Sequence, residues 1–168
     1  DLEGIRQLDS FDLLTLFNTS YISITADVVQ DMNENDVEPI DISNAQTITG
    51  AFADLNPPVL QSFDFDLDAG VIRLQFSEPV IPNTLIPSYL TLHSEPDIGF
   101  NDSLGQFYTL TGYANSTTQG DGSTLAIVLT ADDLNGIKEL KQLGRSRDDT
   151  FVSFRRGVVM DESLNEAV

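Results

Sequence analysis

The stretch QSFDFDLDAGVIRLQFSEPV, residues 61–80, decides the fold. Phe63, Phe65 and Leu67 alternate with Asp64, Asp66 and Asp68. The chain then turns at Asp68-Ala69-Gly70, and Val71, Arg73 and Gln75 alternate with Ile72, Leu74 and Phe76. Successive side chains of a strand point to opposite faces, so strict period-two alternation on both sides of a glycine turn predicts a half-buried β-hairpin. Further strand candidates lie at residues 88–94, 105–114, 123–130 and 150–159, separated by turn clusters such as QGDGS at 119–123. The one helical signal is TADDLNGIKELKQL, residues 130–143. There Thr130 and Asp133 have the spacing of a capping box, and Leu134, Ile137 and Leu140 share a face. Many short strands with one small helix predict an all-β, two-sheet sandwich.

The chain has 168 residues, enough for one generous domain or a small domain plus part of another, and its hydrophobic share of 40% is enough for a core. A formal charge of −19 repels phosphate backbones and anionic lipid heads, which argues against nucleic-acid partners. With no cysteine there is neither a disulfide framework nor a thiolate metal site, and stability falls to packing. The longest apolar runs, such as LAIVL at 125–129, are strand-sized, so membrane insertion is not expected. No signal peptide is visible, and the chain reads as a mature or excised segment.

The sequence writes nearly the same phrase twice. SITADVVQDMNENDV at 23–37 recurs as SFRRGVVMDESLNEAV at 153–168, and DLEGIRQL at 1–8 recurs as DLNGIKEL at 133–140. The offset is 132 at the earlier phrase and 130 at the later one, which defines a tandem repeat of about 130 residues. Leu2, Ile5 and Leu8 repeat the helical face. After EPIDISNAQTITGAF at 38–52, which alternates like a final strand, Asn56, Pro57 and Pro58 break pairing and stiffen a junction. The expected organisation is therefore residues 1–53 as the latter part of one unit, a linker at 54–58, and residues 57–168 as most of a second. With Val168 aligned to Val37, the second unit is expected to lack the counterpart of residues 38–52.

Three features together resemble the bacterial-type immunoglobulin-like repeat of surface-layer and other cell-surface proteins and its eukaryotic tandem relatives. They are NPPVLQSF at 56–63, IRLQFSEPV at 72–80 and DMNENDV at 31–37. The resemblance implies immunoglobulin-like β-sandwich repeats with one short helix per unit, serving as spacers and assembly modules. In that family the third feature reads Asp-x-x-Gly-Asn. Here Glu34 and Leu164 stand at the glycine position, while Asp31/Asp161 and Asn35/Asn165 are kept.

Asp31, Asn33, Asn35 and Asp36 form a D-x-N-x-N-D run, echoed by Asp161, Ser163, Asn165 and Glu166. Alternate oxygen ligands suit calcium, the one metal the pattern suggests. Yet the bending glycine and closing bidentate glutamate of an EF-hand loop are absent, Ser43 standing where the glutamate belongs. The favoured reading is an Asx-rich turn between two strands. Asp64, Asp66 and Asp68 read as the solvent face of one strand rather than a carboxylate pair for catalysis. His93 is the single histidine, and Ser77 lacks a nucleophile elbow, so no catalytic constellation is present and an enzyme is not expected. Three N-x-S/T sequons, at Asn18, Asn101 and Asn115, fall in predicted loops where N-linked glycans fit.

A sandwich without its opening strands cannot bury its inner face, and one without its last strand leaves an open edge. Both defects are met by a linear assembly in which neighbouring units or copies complete one another. The leading expectation is thus a structural repeat unit of an extracellular filament or surface coat, needing no cofactor and partnered by its own kind. A calcium-dependent adhesive or ligand-binding module is the alternative. A carbohydrate-binding accessory domain would need an aromatic platform, for which Phe107, Tyr108 and Tyr113 are the available residues.

Overall fold

The computed structural model describes residues 20–50, 52–96 and 105–168, and the chain divides into two units, Asp1–Asp54 and Leu55–Val168. In the first unit, β1 (Tyr21–Ile22) and β2 (Gln46–Thr47) pair antiparallel, with Tyr21 opposite Thr47 and Ile22 opposite Gln46. The ladder resumes where Ile24 and Ile40 exchange backbone hydrogen bonds of 3.1 and 3.0 Å. Between Ile40 and β2 the chain makes a single 3-10 turn, Ile42–Asn44, so the alternation of residues 38–52 yields an interrupted strand.

The second unit holds seven strands and the single described helix. They are β3 (Leu60–Asp66), β4 (Val71–Phe76), β5 (Leu90–His93), β6 (Phe107–Thr109), β7 (Asn115–Gln119), β8 (Thr124–Val128), α1 (Ala131–Glu139) and β9 (Phe151–Phe154). One antiparallel sheet has the order β3-β4-β8-β7 and the other β6-β5-β9. The hairpin at 61–80 forms as its alternation predicts. Ile72, Leu74 and Phe76 are buried, and Gly70 supplies the turn with a φ of 66°. Both sheets feed one apolar core, in which β4 and β8 meet Leu90 and Leu92 of β5, Ile137 of α1, and Val158 and Val159. Among the described residues the protein is thus β-rich with three antiparallel sheets and one helix.

Two local readings change. The strand candidate at 105–114 shrinks to β6, and β7 appears where a loop was expected. The sequence of β7, NSTTQ, has no apolar alternation because among the described residues it is an edge strand, paired with β8 alone. The capping box at α1 is only half formed. Thr130 Oγ1 accepts from the Asp133 backbone N–H at 3.1 Å, but the Asp133 carboxylate turns away from the cap into the protein. There it is fully buried and accepts from four donors, the Tyr108 hydroxyl, the Thr111 N–H and hydroxyl, and the Gly112 N–H, at 2.7–3.1 Å. Gly136 makes room for this bridge, since a Cβ there would lie 2.5 Å from the Tyr108 ring. The counterparts of this motif in residues 1–8 lie outside the described residues.

Candidate functional site

The repeated phrase folds into the same turn twice. In the first copy Asp31 Oδ1 accepts from the backbone N–H groups of Asn33 (2.8 Å) and Asn35 (2.9 Å), and Oδ2 accepts from Asn35 Nδ2 at 2.9 Å. In the second, Asp161 Oδ1 accepts from Ser163 and Asn165, both at 2.8 Å, and Oδ2 accepts from Asn165 Nδ2 at 2.9 Å. Single bridges flank the turns, Gln30 with Asp36 and Met160 with Glu166. Val37 donates to the Val29 carbonyl and Ala167 to the Val159 carbonyl, so Ala167, and not Val168, is the counterpart of Val37. At the position where the resembled family has glycine, Glu34 and Leu164 both adopt a φ of 63°. The turn keeps its left-handed residue even where a side chain makes that conformation costly.

Most of the oxygens expected to hold calcium accept hydrogen bonds within the protein. Both carboxylate oxygens of Asp31 and of Asp161 accept from N–H donors of their own turns, which is the pattern of an Asx-closed turn. The three donors hold the Asp31 carboxyl below the usual range, the Asn35 side chain contributing most. Asp36 accepts from Gln30 Nε2 at 2.7 Å, and Glu166 pairs with Arg156 at 3.0 Å. Asn33 and Ser163 contribute backbone N–H groups.

The other candidates separate. Asp64 pairs with Arg73 at 3.1 Å, Asp66 caps the hairpin by accepting from Asp68 and Ala69, and Asp68 lies in the turn rather than on the strand. His93 shares a hydrogen bond with Ser153 across β5 and β9. Its buried Nδ1 has no partner, and burial lowers its pKa. Phe107 is half exposed, whereas Tyr108 faces inward to Asp133 and Tyr113 packs on the core, so the three aromatics do not form a platform. Asn115 is exposed at the first residue of β7, a strand and not a loop; Asn18 and Asn101 lie outside the described residues.

Sequence reasoning had no signal for a cleft of about 680 Å³ that runs beside the two edge strands β3 and β9. Phe63 and Phe65 of β3, Phe151 of β9, and Arg145 and Arg147 are among the residues that line it. Among the described residues β9 pairs only with β5, so the edge facing away from β5 has no ladder. In the first unit the counterpart of that edge, on β1, carries β2.

The left-handed position supplies a prediction. Leu164 is 67% exposed, so Leu164→Gly sacrifices little packing and relieves the strain at φ 63°. After the greater chain entropy that glycine loses, the change should stabilise the second unit by about 0.5–1 kcal/mol in urea unfolding. Leu164→Val should destabilise it, because β-branching makes positive φ worse. A loss of stability in the glycine variant would show that the Leu164 side chain outweighs its backbone strain.

Compared with protein-family models, characterised proteins and solved structures, the chain shows no match to any of them.

Proposed function

We propose that this chain is a structural repeat segment of an extracellular filament or surface coat, built from immunoglobulin-like sandwich units and active through assembly rather than catalysis. The observation that carries the reading is the duplicated turn, whose hydrogen bonds and φ of 63° recur 130 residues apart. A sequence that rebuilds the same edge twice is a tandem array, and tandem arrays are scaffolds whose neighbours cover one another's faces.

The two copies differ in burial at equivalent positions. Val158 and Val159 are 0% exposed, whereas their counterparts Val28 and Val29 are 59% and 58% exposed. Tyr21 and Ile22 of β1 are likewise more than half exposed. The equivalent valines thus belong to the core of a unit whose other strands are present, as expected of repeats that share one packing scheme. The sheet orders β3-β4-β8-β7 and β6-β5-β9 suit an immunoglobulin-like sandwich. Asn115, exposed on edge strand β7, is suited to carry a glycan that blocks unwanted edge pairing.

Sedimentation velocity across a concentration series, with negative-stain electron microscopy of the same samples, tests the proposal. Linear oligomers that lengthen with concentration and ignore a calcium chelator are expected. A concentration-independent monomer whose melting temperature falls in chelator would overturn the scaffold reading and favour the calcium-dependent adhesive module.

A further inference from the structure

We infer that the seam between β5 and β9 is an acid-sensitive joint, in which protonation of His93 breaks its side-chain link to Ser153 and loosens β9 from the sheet. The inference concerns the second unit by itself and does not depend on the assembly reading.

The geometry suits a neutral ring and not a charged one. In register across the sheet, His93 of β5 lies opposite Phe107 of β6 on one side and Phe151 of β9 on the other. Leu90 and Leu92 of β5 point into the core, so His93 belongs to the outer face, where it is half-buried. Its Nε2 is hydrogen-bonded to the Ser153 hydroxyl of β9, while its buried Nδ1 has no partner among the described residues. A neutral imidazole has one donor and one acceptor nitrogen, whereas the protonated ring donates from both. Protonation would thus place a charged N–H at Nδ1, out of water and without an acceptor. The Phe107 ring does not compensate. The two ring centroids are 6.5 Å apart and the planes are tilted by 37°, whereas a ring face attracts a cation within about 6 Å. The charged ring therefore has to swing out to water, which gives up the Ser153 bond and the packing between two aromatic neighbours. β9 is four residues long and packs on the core through Val152 and Phe154, so the loss is felt there first.

The charged and titratable groups of the surrounding elements are engaged elsewhere or exposed. On β6, Tyr108 faces the opposite way and donates to Asp133. Beyond β9, Arg155 lies over the Tyr89 ring at 5.8 Å. Before β9, the Asp149 carboxylate accepts from the N–H groups of Arg145 and Ser146, and Asp148 is exposed. Glu95, two residues past His93, is exposed as well. Burial is accordingly the cause that moves the His93 pKa, and it moves it down. With the folded value below the unfolded one, the unfolded chain binds the proton more readily. The stability this group contributes is therefore fully present above the unfolded value, near 6.5, and is lost as pH falls from there toward the folded value. Histidine is the side chain whose ordinary pKa lies in that window, and the chain has one.

Nuclear magnetic resonance of the full-length chain tests the joint in two ways. The His93 ring proton on Cε1, followed through a pH titration, should show a lower midpoint in the folded chain than in the same chain unfolded in urea. Hydrogen exchange, corrected for the intrinsic effect of pH on the rate, should show protection across Phe151–Phe154 falling at least about threefold between about pH 7.5 and about pH 5, while protection in β4 and β8 holds. His93→Gln keeps an amide donor for Ser153 and cannot titrate, so its β9 protection should be the same at both pH values. A folded midpoint equal to or above the unfolded one would overturn the inference. So would a loss of β9 protection in His93→Gln as large as in the unsubstituted chain, or a loss shared equally by β4 and β8, which would mark acid unfolding of the whole unit. Should the variant fail to fold, the ring titration and the exchange pattern of the unsubstituted chain decide between these outcomes.

Discussion

Asp133→Ala is expected to cost the second unit about 3 kcal/mol or more of unfolding free energy, the largest single effect available outside the apolar core. The carboxylate is fully buried, and its hydrogen-bond partners among the described residues are all uncharged. Its charge is balanced by the Tyr108 and Thr111 hydroxyls, the Thr111 and Gly112 N–H groups, and the N-terminal end of α1, where it sits in the first turn. Truncation leaves those donors buried without an acceptor and unties α1 from the segment that follows β6. Asp133→Asn keeps the shape but turns an acceptor into a donor facing other donors, so it should cost nearly as much. Burial alone would raise this carboxyl's pKa, but the hydrogen bonds, led by the Thr111 hydroxyl, outweigh it and leave the value below the usual one. A depressed carboxyl pKa contributes stability that is present above the unfolded value and is lost as pH falls through the folded one. The wild-type chain should therefore lose stability faster than Asp133→Asn below about pH 4. Urea unfolding followed by circular dichroism checks both points. A cost under about 1 kcal/mol would mean that water replaces the buried network without penalty.

Much of this fold was legible because apolar alternation and burial coincide. Ile72, Leu74 and Phe76 read as an inward face and are one, the same alternation located β3, and helical spacing located α1. Legibility failed where the deciding partner is remote. Asp133 has the spacing of a cap, and nothing local tells that Tyr108 and Thr111, more than 20 residues earlier, claim its carboxylate. β7 carries no hydrophobic signal, since a polar edge strand resembles a loop until its partner β8 is known. The cleft beside β9 is a property of sheet order and has no sequence motif of its own. The repeat, by contrast, was legible to within one residue, since Ala167 rather than Val168 matches Val37. Asp and Asn at equivalent positions keep equivalent hydrogen bonds, and Glu34 and Leu164 share a φ of 63°.

That equivalence permits a matched comparison within one chain. Asp31→Ala and Asp161→Ala delete the same three hydrogen bonds, yet the consequences should diverge. Asp161 is 3% exposed, and its turn leads directly to the buried Ala167. Without its carboxylate the N–H groups of Ser163 and Asn165 lose their acceptor, and Leu164 must hold its left-handed conformation unaided. Together these losses should cost the second unit about 2–3 kcal/mol. Asp31 makes the same contacts in an exposed turn, where water takes over the freed N–H groups at once. Its removal should leave the transition of the second unit in place and cost the first unit only a small fraction of that amount. Hydrogen exchange resolves the two turns separately, through protection at Asn35 and at Asn165. Equal loss of protection in both variants would mean that the turn is held by its local hydrogen bonds alone. A selective collapse at Asn165 would show instead that burial, supplied to one copy by its own core, is what makes an identical turn rigid. The exposed copy would then need burial from elsewhere to become equally rigid, and contact with a neighbouring copy in a linear assembly would supply it. Protection at Asn35 should therefore rise with protein concentration, while protection at Asn165 should not.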